Sequence, residues 1–187
     1  FRGRHPLPDR AAWAQRLGAW GITPQTEVVV YDDQGGSFAA RAWWMLRWVG
    51  HASVALLDGG RSAWVRAGGS LDAAVPQPQS VGAYPVGSGS ACARTIEAEP
   101  LLATLGQHTI FDARAGERYR GEVEPLDTRA GHIPGARHRF FKDNLQADGC
   151  FKPAEDLRRD WSDLLKGQPA EALVHQCGSG VTAYHNL

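Results

Sequence analysis

The sequence predicts an α/β fold made of two like halves, each a parallel sheet flanked by helices. Three observations predict it. Short apolar runs alternate with helical segments through Gly-containing loops, the grammar of parallel strands joined by helices. The stretch VVVYDDQGGSFAARA (28–42) returns as ALVHQCGSGVTAYHN (172–186), so positions 33 and 177 correspond, an offset of 144 residues. That is a domain-scale duplication rather than a solenoid period. Between the halves, PQPQSVGAYPVGSGSACAR (76–94) keeps no periodicity and reads as a linker. The expected domains are therefore 1–75 and 95–187.

The first half opens with Asp9, a side-chain cap for a helix whose Trp13, Leu17 and Trp20 recur at helical spacing. Residues 27–31 are a β-branched run expected as a buried strand. DDQGGS (32–37) is a loop, 38–49 a helix, 53–57 a second strand, and a helix follows around 62–66. Six of the seven Trp lie in this half and are expected to fill its core rather than to cage a ligand. In the second half, 96–105 reads as a helix and 109–112 as a strand. A helix opened by Pro153 covers 153–165, and a strand over 172–175 leads into CGSG and another helix start. About 76 residues precede the Cys-bearing strand of the second half, against 26 before its equivalent, and the second half stops at Leu187. Both halves are thus expected to lack elements found in the other.

Composition excludes several functions. Twenty basic groups balance twenty acidic ones, and neither half is polarised, which argues against nucleic acid or an anionic membrane as partner. No apolar run approaches the ~18 residues of a membrane span. Cys92, Cys150 and Cys177 are odd in number and without a CxxC, which fits neither a disulfide framework nor a metal site and makes a reducing, cytoplasmic setting the default. Arg outnumbers Lys seventeen to three. A small oxyanion substrate would use such forks, although codon bias accounts for the excess equally well.

Cys177 is the residue with chemistry to weigh. It follows an apolar strand and opens a loop with two glycines, Gly178 and Gly180, before a helix start. Successive N–H groups of such a loop can converge on one anion, which would hold a thiol as its nucleophilic thiolate. The alternative is a buried inert cysteine, and the loop context favours the reactive reading. Cys92 and Cys150 have no such context.

Several blocks together resemble the tandem rhodanese family. DARAGERYRGEVEP (112–125), AGHIPGA (130–136) and CGSGVTA (177–183) are similar to its catalytic domain. LLDGGRSAW (56–64) and YDDQGGSFAARAWW (31–44) are similar to its N-terminal repeat, in which the loop has no cysteine. The resemblance implies two rhodanese-like domains, the first inactive, and sulfur transfer through a Cys177 persulfide. CGSGV is similar to the loop of the branch that uses 3-mercaptopyruvate. Thiosulfate as donor, or a non-catalytic binding module, are the alternatives, and Asp33 in the first half's turn suits the latter for that domain. A rhodanese-like phosphatase fits poorly, because its longer loop ends in an Arg and here Ala183 stands instead.

The resemblance also implies roles. Gly178, Ser179, Gly180, Val181 and Thr182 would form the nest for the terminal sulfur. Arg118 would bind the donor's anionic group with Arg120 assisting, while Leu126 stands near where relatives place another Arg. Ser179 and His5 would belong to a Ser-His-Asp relay whose Asp would lie upstream of Phe1. His132 is expected to shape a turn. The implied partners are a small sulfur donor and a thiol or cyanide acceptor, with thioredoxin a candidate acceptor; no cofactor or metal is implied.

Overall fold

The structure, a computed structural model, describes residues 4–87 and 93–187 and divides into two compact units, Phe1–Cys92 and Ala93–Leu187. Cys92, and the part of the expected linker at 88–92, lie outside the described residues.

In the first unit, helix α1 (Arg10–Ala19) begins where Asp9 accepts the N–H groups of Ala11 and Ala12 at 2.8 and 3.3 Å, satisfying donors that a helix start leaves open. Strand β1 (Val28–Val30) feeds helix α2 (Ala39–Trp48) and then strand β2 (Val54–Leu56), which pairs parallel with β1, Val29 opposite Ala55. Helix α3 (Gly60–Arg66) follows. Ala14, Leu17, Leu46 and Val49 form the core, with Val28, Val30 and Val54 packed against it.

Three expectations need correction here. The first strand is not buried throughout: Val29 and Tyr31 are 58% and 60% exposed, because alternate side chains of a strand face opposite ways and only one face meets the helices. The tryptophans divide likewise. Trp44 is buried and stacks on Trp48, whereas Trp20 and Trp64 are about half exposed. The segment read as a linker carries part of this unit's core. Tyr84 is buried, its N–H donates to the Ala14 carbonyl at 3.0 Å, and its hydroxyl meets His51 Nδ1 at 3.0 Å.

The second unit runs through helix α4 (Ala98–Ala103), strand β3 (Thr109–Asp112) and helix α5 (Gly116–Arg120). Strand β4 (Arg137–His138), helix α6 (Ala154–Leu165) and strand β5 (Leu173–Gln176) complete its regular elements, and a 3-10 turn over Thr182–Asn186 stands where a helix start was expected. The sheet order is β4-β3-β5, all parallel, with Phe111 opposite both Arg137 and His175. Ile110, Phe111 and Asp112 of the central strand are buried, as a strand covered on both faces must be. The strand ends converge on one edge of this unit, where the loops after β3 and β5 meet; parallel sheets put binding sites at that end.

Candidate active site

The loop after β3 is built on a buried ion pair. Asp112 is fully buried, and Arg114 grips its carboxylate from Nε and Nη2, the shortest contact 2.6 Å. Burying these two charges is tolerable because the remaining donors are also used: Arg114 Nη2 reaches the Gly131 carbonyl at 2.7 Å and Nη1 reaches Glu124 at 3.3 Å. The hydrogen bond to Asp112 is the main cause that holds the Arg114 guanidinium above its ordinary value. The AGHIPGA turn is thereby tied to the strand end. His132 stacks on Tyr119 with ring centres 3.9 Å apart, and its Nδ1 meets the Tyr119 carbonyl at 2.7 Å, a turn-shaping arrangement.

The loop after β5 wraps around Cys177 Sγ. The Val181 N–H donates to the sulfur at 3.3 Å. Burial pushes the thiol up, but the Thr182 hydroxyl and the N–H groups of Ser179, Ala183 and Val181 outweigh it and hold Cys177 below an ordinary cysteine. Gly180 has φ +67°, a left-handed turn that glycine adopts without strain, and it lets the chain double back so that these donors face one atom. The resulting site favours a thiolate.

Both loops line one cleft of about 400 Å³. Gln176, Cys177 and Gly178 form one wall, Asp127 and 129–133 the other, and Arg114 closes it. Cys150 is not among its lining residues; it lies in the 145–151 hairpin, where its N–H binds Asp148 at 3.0 Å.

The structure therefore brings together Cys177, Gly178, Ser179, Gly180, Val181 and Thr182. It does not put the two expected anion-binding arginines on the cleft wall. Arg118 gives Nη2 to both Glu124 oxygens, at 2.7 and 2.9 Å, and to Asp127 at 3.3 Å; Arg120 lies outside with Glu122. Arg118 is the chief cause that lowers the Glu124 carboxyl to about 2. His5 is exposed in the first unit, where its carbonyl accepts Arg41 Nη1 at 2.8 Å. Sequence reasoning did not single out the Ala183 N–H, the Thr182 hydroxyl, Arg114 or Arg129. Arg114 sits inside the quoted DARAG block, so the only signal was there; Arg129 stands in an irregular stretch with none. Among the described residues, no cluster of three His, Cys, Asp or Glu side chains is placed to hold a metal, and no helix is long and apolar enough to cross a membrane.

Comparison with known proteins places the fold. Residues 2–67 match the family model described as the Rhodanese-like domain. The chain is 50% identical, over 99% of its length, to a probable 3-mercaptopyruvate sulfurtransferase of Pseudomonas aeruginosa, and covers 65% of that protein. It is 40% identical, over 97% of its length, to a putative thiosulfate sulfurtransferase of Mycobacterium tuberculosis, and covers 64% of it. Among solved structures, the 3-mercaptopyruvate sulfotransferase SseA of Escherichia coli superposes with a TM-score of 0.76 at 29% identity, covering 96% of this chain and 67% of that one. The chain thus spans less than two thirds of the two curated relatives' lengths. With parallel sheets, the strand-end loops and these matches along its length, the chain has the rhodanese-like fold of these sulfurtransferases.

Proposed function

We propose that this chain carries the sulfur-transferring site of a sulfurtransferase, with Cys177 as the sulfur carrier and 3-mercaptopyruvate as the preferred donor. The observation that carries the reading is the convergence of three N–H groups and one hydroxyl on Cys177 Sγ at the wall of an open cleft. The Cys177 thiolate attacks the donor's sulfur; the S–S bond forms as the C–S bond breaks. The electron pair leaves on the enolate of pyruvate, which takes up the proton of the former thiol, and the persulfide anion stays in the nest. A thiol or cyanide then removes the outer sulfur and restores the thiolate; a small dithiol protein such as thioredoxin suits that role.

Donor choice follows from charge. The Gly178–Gly180 turn has no cation, whereas thiosulfate, a compact dianion, gains from one beside its sulfur. Mercaptopyruvate has its carboxylate remote from the sulfur, and its departing enolate needs a proton that Ser179 can relay. His5 enters as Ser179's partner on the family resemblance alone. Arg118 takes part in donor binding only by releasing Glu124 and Asp127; its role in the unliganded site is to hold that acidic loop.

The test is steady-state transfer to cyanide by the full-length protein. We expect kcat/KM for 3-mercaptopyruvate to exceed that for thiosulfate by about tenfold or more, on the order of 1.4 kcal/mol. Ser179→Ala should cost the mercaptopyruvate reaction more. Equal losses with both donors would reduce Ser179 to a loop-shaping residue. A thiosulfate preference, as the mycobacterial relative's name would suggest, would overturn the donor assignment.

A further inference from the structure

The ion pairs around the cleft leave a carboxylate in excess, and one arginine of the cleft lining has not been used by the proposed chemistry. Asp112, Arg114, Glu124, Arg118 and Asp127 form a continuous ion-pair chain, three carboxylates against two guanidiniums. Its two cations are both committed. Arg114 is 8% exposed and spends its donors on Asp112, Glu124 and the Gly131 carbonyl. Arg118 gives its fork to Glu124 and Asp127. An anionic donor entering this cleft therefore meets a network with one excess negative charge, and Asp127 belongs to the wall itself.

Arg129 is the exception. It lines the same cleft as Cys177, is exposed, and makes no ion pair or hydrogen bond among the described residues. It adds one positive charge beside that network, and of the two arginines lining the cleft it is the one with no hydrogen bond or ion pair among the described residues. Two-pronged donation to a planar carboxylate or sulfonate is what that group does best. We propose that Arg129 is the specificity-determining cation of this site: it recruits small donors bearing a carboxylate or similar oxyanion and excludes none of their neutral analogues.

This inference rests on the reading that Cys177 is the reactive atom, and its test is chosen to be independent of sulfur transfer. Iodoacetate and iodoacetamide have the same size and reaction: the thiolate sulfur forms a bond to carbon as iodide leaves. They differ in one carboxylate. Rates of modification of the Cys177 peptide are read by mass spectrometry in the full-length protein at low ionic strength. We expect the iodoacetate-to-iodoacetamide rate ratio to fall about threefold or more in Arg129→Gln, and Arg129→Lys to recover part of it, the size expected for one exposed charge. The wild-type ratio should also fall as salt is added. A smaller fall in Arg129→Gln, or a ratio that follows Arg118→Gln instead, would overturn the inference. Because Arg129 contacts no described side chain through a polar group, the Lys variant separates loss of charge from any change in the loop. A ratio that behaves as expected in a protein that transfers no sulfur would instead count against the proposed function.

Discussion

The two halves of the molecule build the same loop around different atoms. In the first unit, Asp32 accepts the N–H groups of Gln34 and Gly36 through one oxygen, at 2.7 and 2.8 Å, and those of Phe38 and Ala39 through the other, at 2.8 and 2.9 Å. In the second, Cys177 accepts from Ser179, Val181 and Ala183, which are again two, four and six residues on. Gly35 and Gly180, each three residues after the acceptor, have φ +70° and +67°. The backbone is an anion nest in both. The first unit fills its nest with a carboxylate of its own chain, and Asp33 is left to pair with Arg61 at 2.7 Å. The second fills it with a polarisable sulfur at the wall of a cleft. One atom type separates a structural plug from a nucleophile, so the capacity for chemistry lies in the acceptor and not in the fold.

The contrast also shows what could be read from the chain. The Asp9 cap, the strand at 109–112, the helix after Pro153 and the Cys177 loop were legible, because capping residues, apolar runs and paired glycines are local signals. The plug was misplaced by one residue. Aligning the repeats by sequence pairs Asp33 with Cys177, but the acceptor in the first nest is Asp32: its donors stand two, four and six residues on, as those of Cys177 do, so the two loops correspond at an offset of 145 residues. Helix α5 and strand β4, five and two residues long, are too short to leave a periodicity. Tyr84 was hidden in a Pro/Gly/Ser-rich stretch whose composition masks a single core aromatic. The pairing of Arg118 with Glu124 depends on how the 121–127 segment folds back, which no local pattern reports.

Breaking the first plug should have the largest effect. Asp32→Ala leaves four N–H groups without their acceptor, among them that of the buried Gly36. We expect a loss of about 3 kcal/mol in the chemical stability of the first unit, read by urea unfolding with a tryptophan signal. A loss under about 1 kcal/mol would mean that water replaces the carboxylate and that the comparison with Cys177 is only formal.

The strands that lead into the two nests differ next. Val30 and His175 each stand two residues before the acceptor; Val30 packs against the first unit's core, whereas the corresponding position of the second unit holds a titratable ring, His175, packed on Phe111 and against Trp161. Burial pushes the His175 imidazole from 6.5 down to about 4. A group whose folded pKa is depressed in this way favours the folded state while neutral, so its contribution is complete above about 6.5 and is lost as pH falls towards 4. The ceiling is about 3 kcal/mol. Unfolding midpoints across that window should fall in the wild type and flatten in His175→Phe. An equal slope in both proteins would assign the acid sensitivity elsewhere.

The smallest expected effect sharpens the chemistry of the nest itself. In the second nest the Thr182 hydroxyl joins the backbone N–H groups, whereas Asp32 is held by backbone N–H groups. Thr182→Val removes one of the donors that hold Cys177 below its ordinary pKa. The pH midpoint for alkylation of Cys177 by iodoacetamide should move up, and the rate at neutral pH should fall by about threefold. An unmoved midpoint would leave the backbone N–H groups as the whole of the stabilisation.

The central claim is that sulfur is carried on Cys177 because its loop holds an anion there. It is tested most directly by treating the full-length protein with 3-mercaptopyruvate, alkylating it, and mapping the added sulfur by peptide mass spectrometry. The account predicts one extra sulfur, on the peptide containing Cys177, removed again by cyanide. Sulfur found on Cys150 or Cys92, or a Cys177 peptide that stays unmodified while pyruvate is released, would contradict it.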